Sequence, residues 1–194
     1  GIKVAGSDFS GNAEISSNLA KTTTINNLDF SSSYIDSDAL IKLMTSMPNT
    51  QTTAGPSVPL TIKKGTGKIT KLKSGNISAE NISLNFTLNN NLVKLTNIAA
   101  TFAEGKITAD ADYNIANTKV NVDGTGKNIN ARKAANCFVG GSSIIMSGTA
   151  NGIAKLNFRG NTYEQQMRSL NGQVIFDIAN GQYGKAARFE RFLH

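Results

Sequence analysis

Side chains that commonly perform catalysis are scarce in this chain of 194 residues. It has a single histidine, His194, and a single cysteine, Cys137. A Ser-His-Asp or Cys-His arrangement needs a histidine held against its partners, and a zinc site needs several Cys or His ligands. A single cysteine also cannot form an internal disulfide. We therefore predict that the chain is not an enzyme and holds no metal or cofactor.

Two short motifs could still carry chemistry, and neither has the full pattern. Residues 65–68 read Gly-Thr-Gly-Lys, like part of a phosphate-binding loop. The first glycine of GxxxxGK[ST] is missing, however, and Ile69 stands where a hydroxyl should bind Mg²⁺. Asp110 and Asp112 share one face of a strand, because they are two residues apart, and such a pair can bind a cation. We interpret both aspartates as part of a wet strand face.

The charge of the chain favours anionic partners. It carries 20 Lys and Arg against 13 Asp and Glu, a formal charge of +7. Such a balance attracts nucleic acid, anionic lipid or acidic glycan. Several lysines lie in one stretch: Lys63, Lys64, Lys68, Lys71 and Lys73. No aromatic residue is interleaved with them, so a nucleic-acid site is not indicated. They are either a solvated strand face that guards a sheet edge or contacts for anionic headgroups.

Alternating apolar residues in the middle of the chain predict an antiparallel β-meander. Ile82, Leu84, Phe86 and Leu88 alternate with polar residues, which is the period of a strand with one apolar and one wet face. Asparagines at 89–91 predict a hairpin turn. Strands over 92–102 and 107–115, and one through Val120 and Val122, follow after short turns. Such turns impose antiparallel pairing, because parallel pairing needs long crossovers.

Weaker patterns flank this meander. Residues 11–17 and 22–30 predict a hairpin, and 38–46 predict a helix capped by Asp36 or Ser37. Two strands, 58–62 and 68–72, are expected to be separated by glycines, and a second helix is expected over 131–138. A strand pair, 143–147 and 153–159, would turn at Asn151-Gly152. A helix capped by Thr162, a strand over 173–179 and a last amphipathic helix with Phe189, Phe192 and Leu193 would complete the chain.

The order of motifs from about Val58 onward resembles the C-terminal region of the AsmA family of bacterial envelope proteins. The resembling pieces are the stretches at 76–82, 95–100, 105–109, 158–162, 169–172 and 179–182. Glu104-Gly105 stands where the family often has Gly-Gly. No run of 18 or more apolar residues and no signal peptide is present. The family usually carries an N-terminal membrane helix that this sequence lacks, so the resemblance implies an excised periplasmic piece whose parent protein is anchored in the inner membrane.

The resemblance implies a fold and a function. The expected fold is mainly β (α+β): a curved antiparallel meander forming a groove or half-pipe, with several short capping helices. The implied function is phospholipid passage between the two membranes, or outer-membrane assembly, with no catalytic residues. The expected partners are phospholipid or another envelope lipid, and further sheet of the full-length protein. Candidate lipid-lining residues are Ile82, Leu84, Phe86, Leu95, Phe102, Ile107, Tyr113, Val120 and Val122.

Two alternatives stay open at this stage. The same apolar residues could be an ordinary packed core beneath the helices. The domain could also be a structural or protein-interaction module whose sheet edges dock onto further sheet. We divide the chain into leading strands and a helix (1–47), a flexible loop (48–57) and a main sheet with capping helices (58–194), together one AsmA-like domain fragment.

Overall fold

A computed structural model describes residues 1–18, 22–46, 60–139 and 146–182. Strands make up 71% of it and form one long, curved, unclosed sheet of 11 strands with three short helices. The predicted fold class is therefore confirmed. The strands are β1 (Ile2–Val4), β2 (Ser7–Asn18), β3 (Thr22–Ser32), β4 (Ile35–Asp36), β5 (Leu60–Ser74), β6 (Ile77–Asn89), β7 (Leu92–Phe102), β8 (Gly105–Asn114), β9 (Lys119–Asn130), β10 (Thr149–Arg159) and β11 (Asn171–Ala179). The helices are α1 (Ser37–Ser46), α2 (Ala131–Val139) and α3 (Tyr163–Ser169).

Neighbouring strands follow chain order from one edge of the sheet to the other. The order is β1-β2-β3-β5-β6-β7-β8-β9-β10-β11, and β4 pairs with β5. The pairing of β6 with β7 is antiparallel, as predicted. The pair β3 and β5 is parallel, as is the short pair β4 and β5, whereas the other pairs are antiparallel. The long connection between β3 and β5 contains α1, and a crossover of that length is what parallel pairing requires.

Tight turns with left-handed backbone join the central hairpins. Asn90 and Asn91 both have positive φ, 46° and 65°. Two successive positive φ angles match the twist of a two-residue hairpin, and asparagine tolerates them well. Ala103 and Glu104 make the same kind of turn between β7 and β8, at φ 46° and 68°. The predicted turn at the three asparagines is confirmed.

From Leu60 onward, where the structure describes the chain, the two strands predicted at 58–62 and 68–72 are one continuous strand, β5, and the separation by glycines was wrong. Gly65 and Gly67 lie inside β5, where both are buried. A Cβ at Gly65 would lie 2.3 Å from Cζ of Phe86, and one at Gly67 would lie 2.6 Å from the ring of Phe30. Each glycine therefore leaves a space above the strand, and an aromatic ring from a neighbouring strand fills it. Covering a strand glycine with a cross-strand ring in this way is known as aromatic rescue.

The helices lie at three places along the sheet. By contact, α1 packs on β5, α2 on β9 and α3 on β10. The predicted caps are present: Asp36 Oδ1 accepts a hydrogen bond from the Ala39 amide at 3.0 Å, and Thr162 Oγ1 accepts one from the Gln165 amide at 3.2 Å. Both side chains satisfy amides that a helix start leaves without a partner.

Bulges at asparagines change the register of the central strands. Asn97 in β7 and Asn128 in β9 have φ of 53° and 55°. The pairing of β7 with β8 shifts between Leu95 and Ile98. Bulges add one residue, bend the strand and raise its twist. Without a bulge, two residues an odd number of positions apart point to opposite faces of the sheet. A bulge between them places both side chains on the same face.

A cluster of hydrogen bonds fixes the first strands. The carboxylate of Asp8 accepts hydrogen bonds from the Ser32 hydroxyl at 2.9 Å, the Ser33 amide at 2.7 Å and the Tyr34 amide at 3.1 Å, and one from the Ser33 hydroxyl. These bonds, led by the Ser33 hydroxyl, lower the pKa of Asp8 far below its usual value. Ser7, 1% exposed, accepts from the Asp36 amide at 2.9 Å. The corner is held by polar contacts.

The C-terminal part differs from the predicted hairpin. Asn151-Gly152 lies within β10, where the register shifts against β9, and is not a turn. Asn151 Oδ1 accepts from the Asn128 amide at 2.9 Å, so the two strands are irregular at the same level. The loop at 48–57, most of the strand predicted at 143–147 and the last helix lie outside the described residues.

Candidate lipid-contact surface

One face of the sheet is apolar across nearly its whole width. The register places a row of residues directly opposite one another from strand to strand, and opposed residues share a face. Every side chain in this row is partly exposed. The row, from β3 to β10, is Leu28, Gly65, Phe86, Leu95, Ala111, Val122 and Leu156. We call this side of the sheet the apolar face.

All the predicted lining residues lie on the apolar face. Ile82 and Phe102 are buried, at 7% and 9% exposure, and the others are partly exposed. Phe102 reaches this face because the bulge at Asn97 reverses the alternation after Leu95. The structure therefore brings the set together: Ile82, Leu84, Phe86, Leu95, Phe102, Ile107, Tyr113, Val120 and Val122.

Aromatic rings form the most closely packed part of the apolar face. The rings of Phe30 and Phe86 lie on either side of the β5 glycines, with centroids 5.8 Å apart and planes tilted by 57°. Tilted pairs at this separation are favourable beyond their buried area. Leu28 and Phe30 lie in the predicted first hairpin and were not among the predicted lining residues. The parallel pairing of β3 with β5 brings them there.

An apolar hollow opens farther along the same face, over β8 to β11. Its volume is about 320 Å³, within the lower range of small-molecule sites. Its floor consists of small residues with at most a methyl group as side chain, namely Ala109, Gly124, Gly126, Gly152 and Ala154. Its walls include Phe102, Ile107 and Ile129 on one side, and Val174 and Phe176 on the other. The sequence shows that Val174 and Phe176 share one face of a strand. It does not show that they line the same hollow as Ile107.

The predicted lysines lie apart from the lining residues. Lys68 pairs across β6 with Ser83, on the face opposite to the apolar one. The alternation reverses at Asn81, where φ is 51°, so that Ala79 lies opposite Phe102 on the apolar face. Lys71 and Lys73, which pair with Glu80 and Ser78 on either side of Ala79, therefore also lie on the polar side. Lys71 forms an exposed ion pair with Glu80 at 3.8 Å, a type worth little stability. Lys64, next to Gly65, also lies on this polar side, and Lys63 is exposed at the register shift. A lipid lying on the apolar face would not contact these ammonium groups across the sheet.

Asp110 and Asp112 lie on the polar side of the sheet, where Asp110 stabilises a bulge. Asp110 Oδ1 accepts a hydrogen bond from the Asn97 amide at 2.8 Å, which satisfies the bulge. Asp110 also lies opposite Asp123, whose carboxylate pairs with the Lys155 ammonium at 3.4 Å. Asp112 lies opposite Lys94. Within the part of the chain that the structure describes, no group of three or more metal-ligating side chains forms.

Comparisons with known proteins found no match to this chain. No protein-family model matches the chain, and neither a curated protein nor a solved structure matches it. The resemblance to the AsmA family therefore stays a prediction. None of the described helices combines the length and the apolar character needed to cross a membrane.

Proposed function

We propose that the chain is a non-enzymatic lipid-handling domain that holds the acyl chains of a phospholipid, or of another envelope lipid, on its apolar face. The observation that supports this is the row from Leu28 to Leu156, whose members are all apolar and, apart from the buried Gly65, partly exposed. The described helices contact mainly β5, β9 and β10, and the side chains of the row remain partly exposed beside them. Large uncovered apolar surfaces mark interaction sites.

Transfer energies make this surface suited to carrying lipid without chemistry. Each methylene removed from water contributes about 0.8 kcal/mol, so hydrating a chain of about fourteen carbons costs on the order of 10 kcal/mol. A surface that is apolar from strand to strand lets such a chain move while staying out of water. Bulges and glycines make this surface uneven: the rings of Phe30 and Phe86 fill one part of it, and a hollow lies beside Ile107.

The proposed setting is the bacterial periplasm, between the inner and outer membranes. This setting rests on the AsmA-like motifs, and the proposed role there is phospholipid transport or outer-membrane assembly. The parent protein would be anchored in the inner membrane through a segment outside this chain. In that setting the apolar face would be one stretch of a longer lipid path.

The test places a charge on the apolar face and the same charge on the polar face. Phe86→Asp puts a carboxylate among the rings, whereas Asn85→Asp puts one on the adjacent residue, which is exposed on the other side. A photocrosslinking residue at Leu84 reports lipid capture from phospholipid vesicles. Thermal melting of each variant reports stability.

We expect Phe86→Asp to lose at least about tenfold in lipid crosslinking, since a carboxylate is costly to place against hydrocarbon. Its melting temperature should fall, because the aspartate does not fill the space above Gly65, but the variant should stay folded, because the ring at Phe86 is partly exposed to water. Asn85→Asp should change neither quantity. Unfolding of Phe86→Asp would identify the face as ordinary core, and unchanged crosslinking in a folded variant would contradict a lipid site here.

A second candidate is a structural module that pairs edge to edge with further sheet. The specific observation is that the outer edge of β11, and that of β2 beyond Ser10, have no strand partner among the described residues. Unpaired edges are templates for another strand. Lipid crosslinking at Leu84 separates the two functions, since an edge-docking module has no need to capture lipid.

A further inference from the structure

Within the part of the chain that the structure describes, the outer edge of β11 lacks the usual protection of an edge strand. Sheet edges are normally blunted by lysines, prolines, bulges or a very short strand. β11 has nine residues, pairs with β10 without a register shift, and contains neither lysine nor proline. Val174, Ile175 and Phe176 are 56%, 53% and 60% exposed, on both sides of the strand. Such an edge favours the addition of another strand.

The opposite edge of the sheet is covered by a short strand at its beginning, and past Ser10 the edge of β2 carries a charge, Glu14, at a register shift against β3. β1 has three residues, one of them Lys3, and pairs only with the beginning of β2. A very short strand with a lysine is a common device against strand addition. The two ends of the sheet are therefore unequal, and β11 is the end suited to a partner.

The sequence of β11 is complementary to itself in an antiparallel pair centred on Ile175. In that register Ile175 faces its own copy, Val174 faces Phe176, and Gln173 faces Asp177. Apolar and aromatic residues are thus matched with β-branched ones, which are favourable cross-strand pairs. Asp177 is the only charged residue of β11, so no like charges lie opposite each other, an arrangement that would destabilise the pair.

We infer that two copies of this chain associate through β11, related by a twofold axis that passes beside Ile175. The same strand serves both partners, as in the isologous interfaces of most homodimers. Main-chain hydrogen bonds would supply affinity, and the Val174–Phe176 pairs would supply register.

The pairing also joins the two apolar faces. Val174 and Phe176 line the hollow over β8 to β11, and in the proposed register each would face its counterpart from the second copy on the same side. Two sheets of 11 strands would become one continuous sheet. The association itself does not depend on lipid binding and would be present in a lipid-free preparation.

A charge at the twofold axis tests the interface. Ile175→Lys places two ammonium groups opposite each other, whereas Ile153→Lys makes the same change on β10, on the same side and directly opposite Ile175 but one strand inside the edge. Ile153 is 46% exposed, so the control also begins from an exposed isoleucine. Sedimentation velocity over a concentration series gives the dimer dissociation constant of each protein.

We expect Ile175→Lys to raise that constant by about tenfold or more and Ile153→Lys to raise it far less. A wild-type chain that stays monomeric over the series overturns the inference. So does a dimer that both substitutions weaken equally, or one that survives Ile175→Lys, since its interface would lie elsewhere.

Cysteine crosslinking tests the register in a Cys137→Ser background. Opposed residues of antiparallel strands have Cα atoms about 4.5–5.5 Å apart, a separation that a disulfide can span. Ile175→Cys should therefore form covalent dimers alone under mild oxidation. Gln173→Cys and Asp177→Cys should each fail alone and crosslink when mixed. Crosslinking of Gln173→Cys with itself, or no crosslink from the mixture, contradicts the proposed register.

Discussion

Two glycine pairs on the apolar face have the same spacing and opposite consequences. Gly65 and Gly67 in β5 are buried, because the rings of Phe86 and Phe30 occupy the space above them. Gly124 and Gly126 in β9 are partly exposed, and they form the floor of the hollow. A Cβ at Gly124 would meet nothing closer than the Cβ of Ala109 at 3.2 Å.

The difference comes from the neighbouring strands. Gly65 lies between Leu28 and Phe86 in the sheet, so a large ring is available beside it. Gly124 lies between Ala109 and Ala154, and neither methyl group can cover the space. A glycine in a strand therefore becomes either packed core or open site according to its cross-strand partners, although glycine itself weakens a strand in both cases.

The largest expected effect is that of Gly65→Ala. Its Cβ would lie 2.3 Å from Cζ of Phe86, so the ring must move away from Phe30. Overpacking of this kind typically costs about 1–3 kcal/mol, measured here as the free energy of unfolding in urea. In a Phe86→Ala background the same substitution should cost less, because the obstructing ring is gone. Equal costs in both backgrounds would mean that the ring does not fill this space.

An intermediate effect is expected for Asp8→Asn, at a corner remote from both glycine pairs. Hydrogen bonds lower the pKa of Asp8 in the folded chain. They therefore stabilise the fold at pH values above the pKa of an unfolded aspartate, which is about 4. This stabilisation is lost as the pH falls through the folded-state pKa. The substitution should lower the melting temperature at neutral pH and flatten its decline below about pH 4. An unchanged acid decline would contradict the role of Asp8, and the difference between the glycine pairs should persist in this variant.

The smallest effect on stability is expected for Gly124→Ala. The added methyl group would lie 3.2 Å from the Cβ of Ala109 and 3.3 Å from the carbonyl oxygen of Thr108, so these neighbours must yield slightly. The lower chain entropy of the unfolded alanine variant offsets this crowding. We expect the free energy of unfolding to change by less than about 0.5 kcal/mol. Because the methyl group fills part of the hollow, binding of a fluorescent fatty acid should weaken measurably. A loss as large as that of Gly65→Ala would show that the two pairs are equivalent after all.

Much of the central meander and its apolar side could be predicted from short-range pattern. The alternation at Ile82, Leu84 and Phe86 defines a strand face without knowledge of any neighbour. The turn at Asn90-Asn91 and the caps at Asp36 and Thr162 have local chemical causes as well. The strands across Gly65 and across Asn151-Gly152 were mispredicted, because glycine and asparagine usually signal turns and the partners that accommodate them here are distant in sequence.

The sequence by itself determined that the chain forms a sheet with one apolar face, because strand period and turn chemistry act over a few residues. The tertiary structure decided which parts of that face are filled and which are open. Leu95 and Phe102 are seven residues apart and share a face only because Asn97 bulges. The hollow exists only because glycines and alanines of three neighbouring strands lie side by side. Bulge positions and cross-strand neighbours depend on register, which strand pairing over long sequence distances establishes.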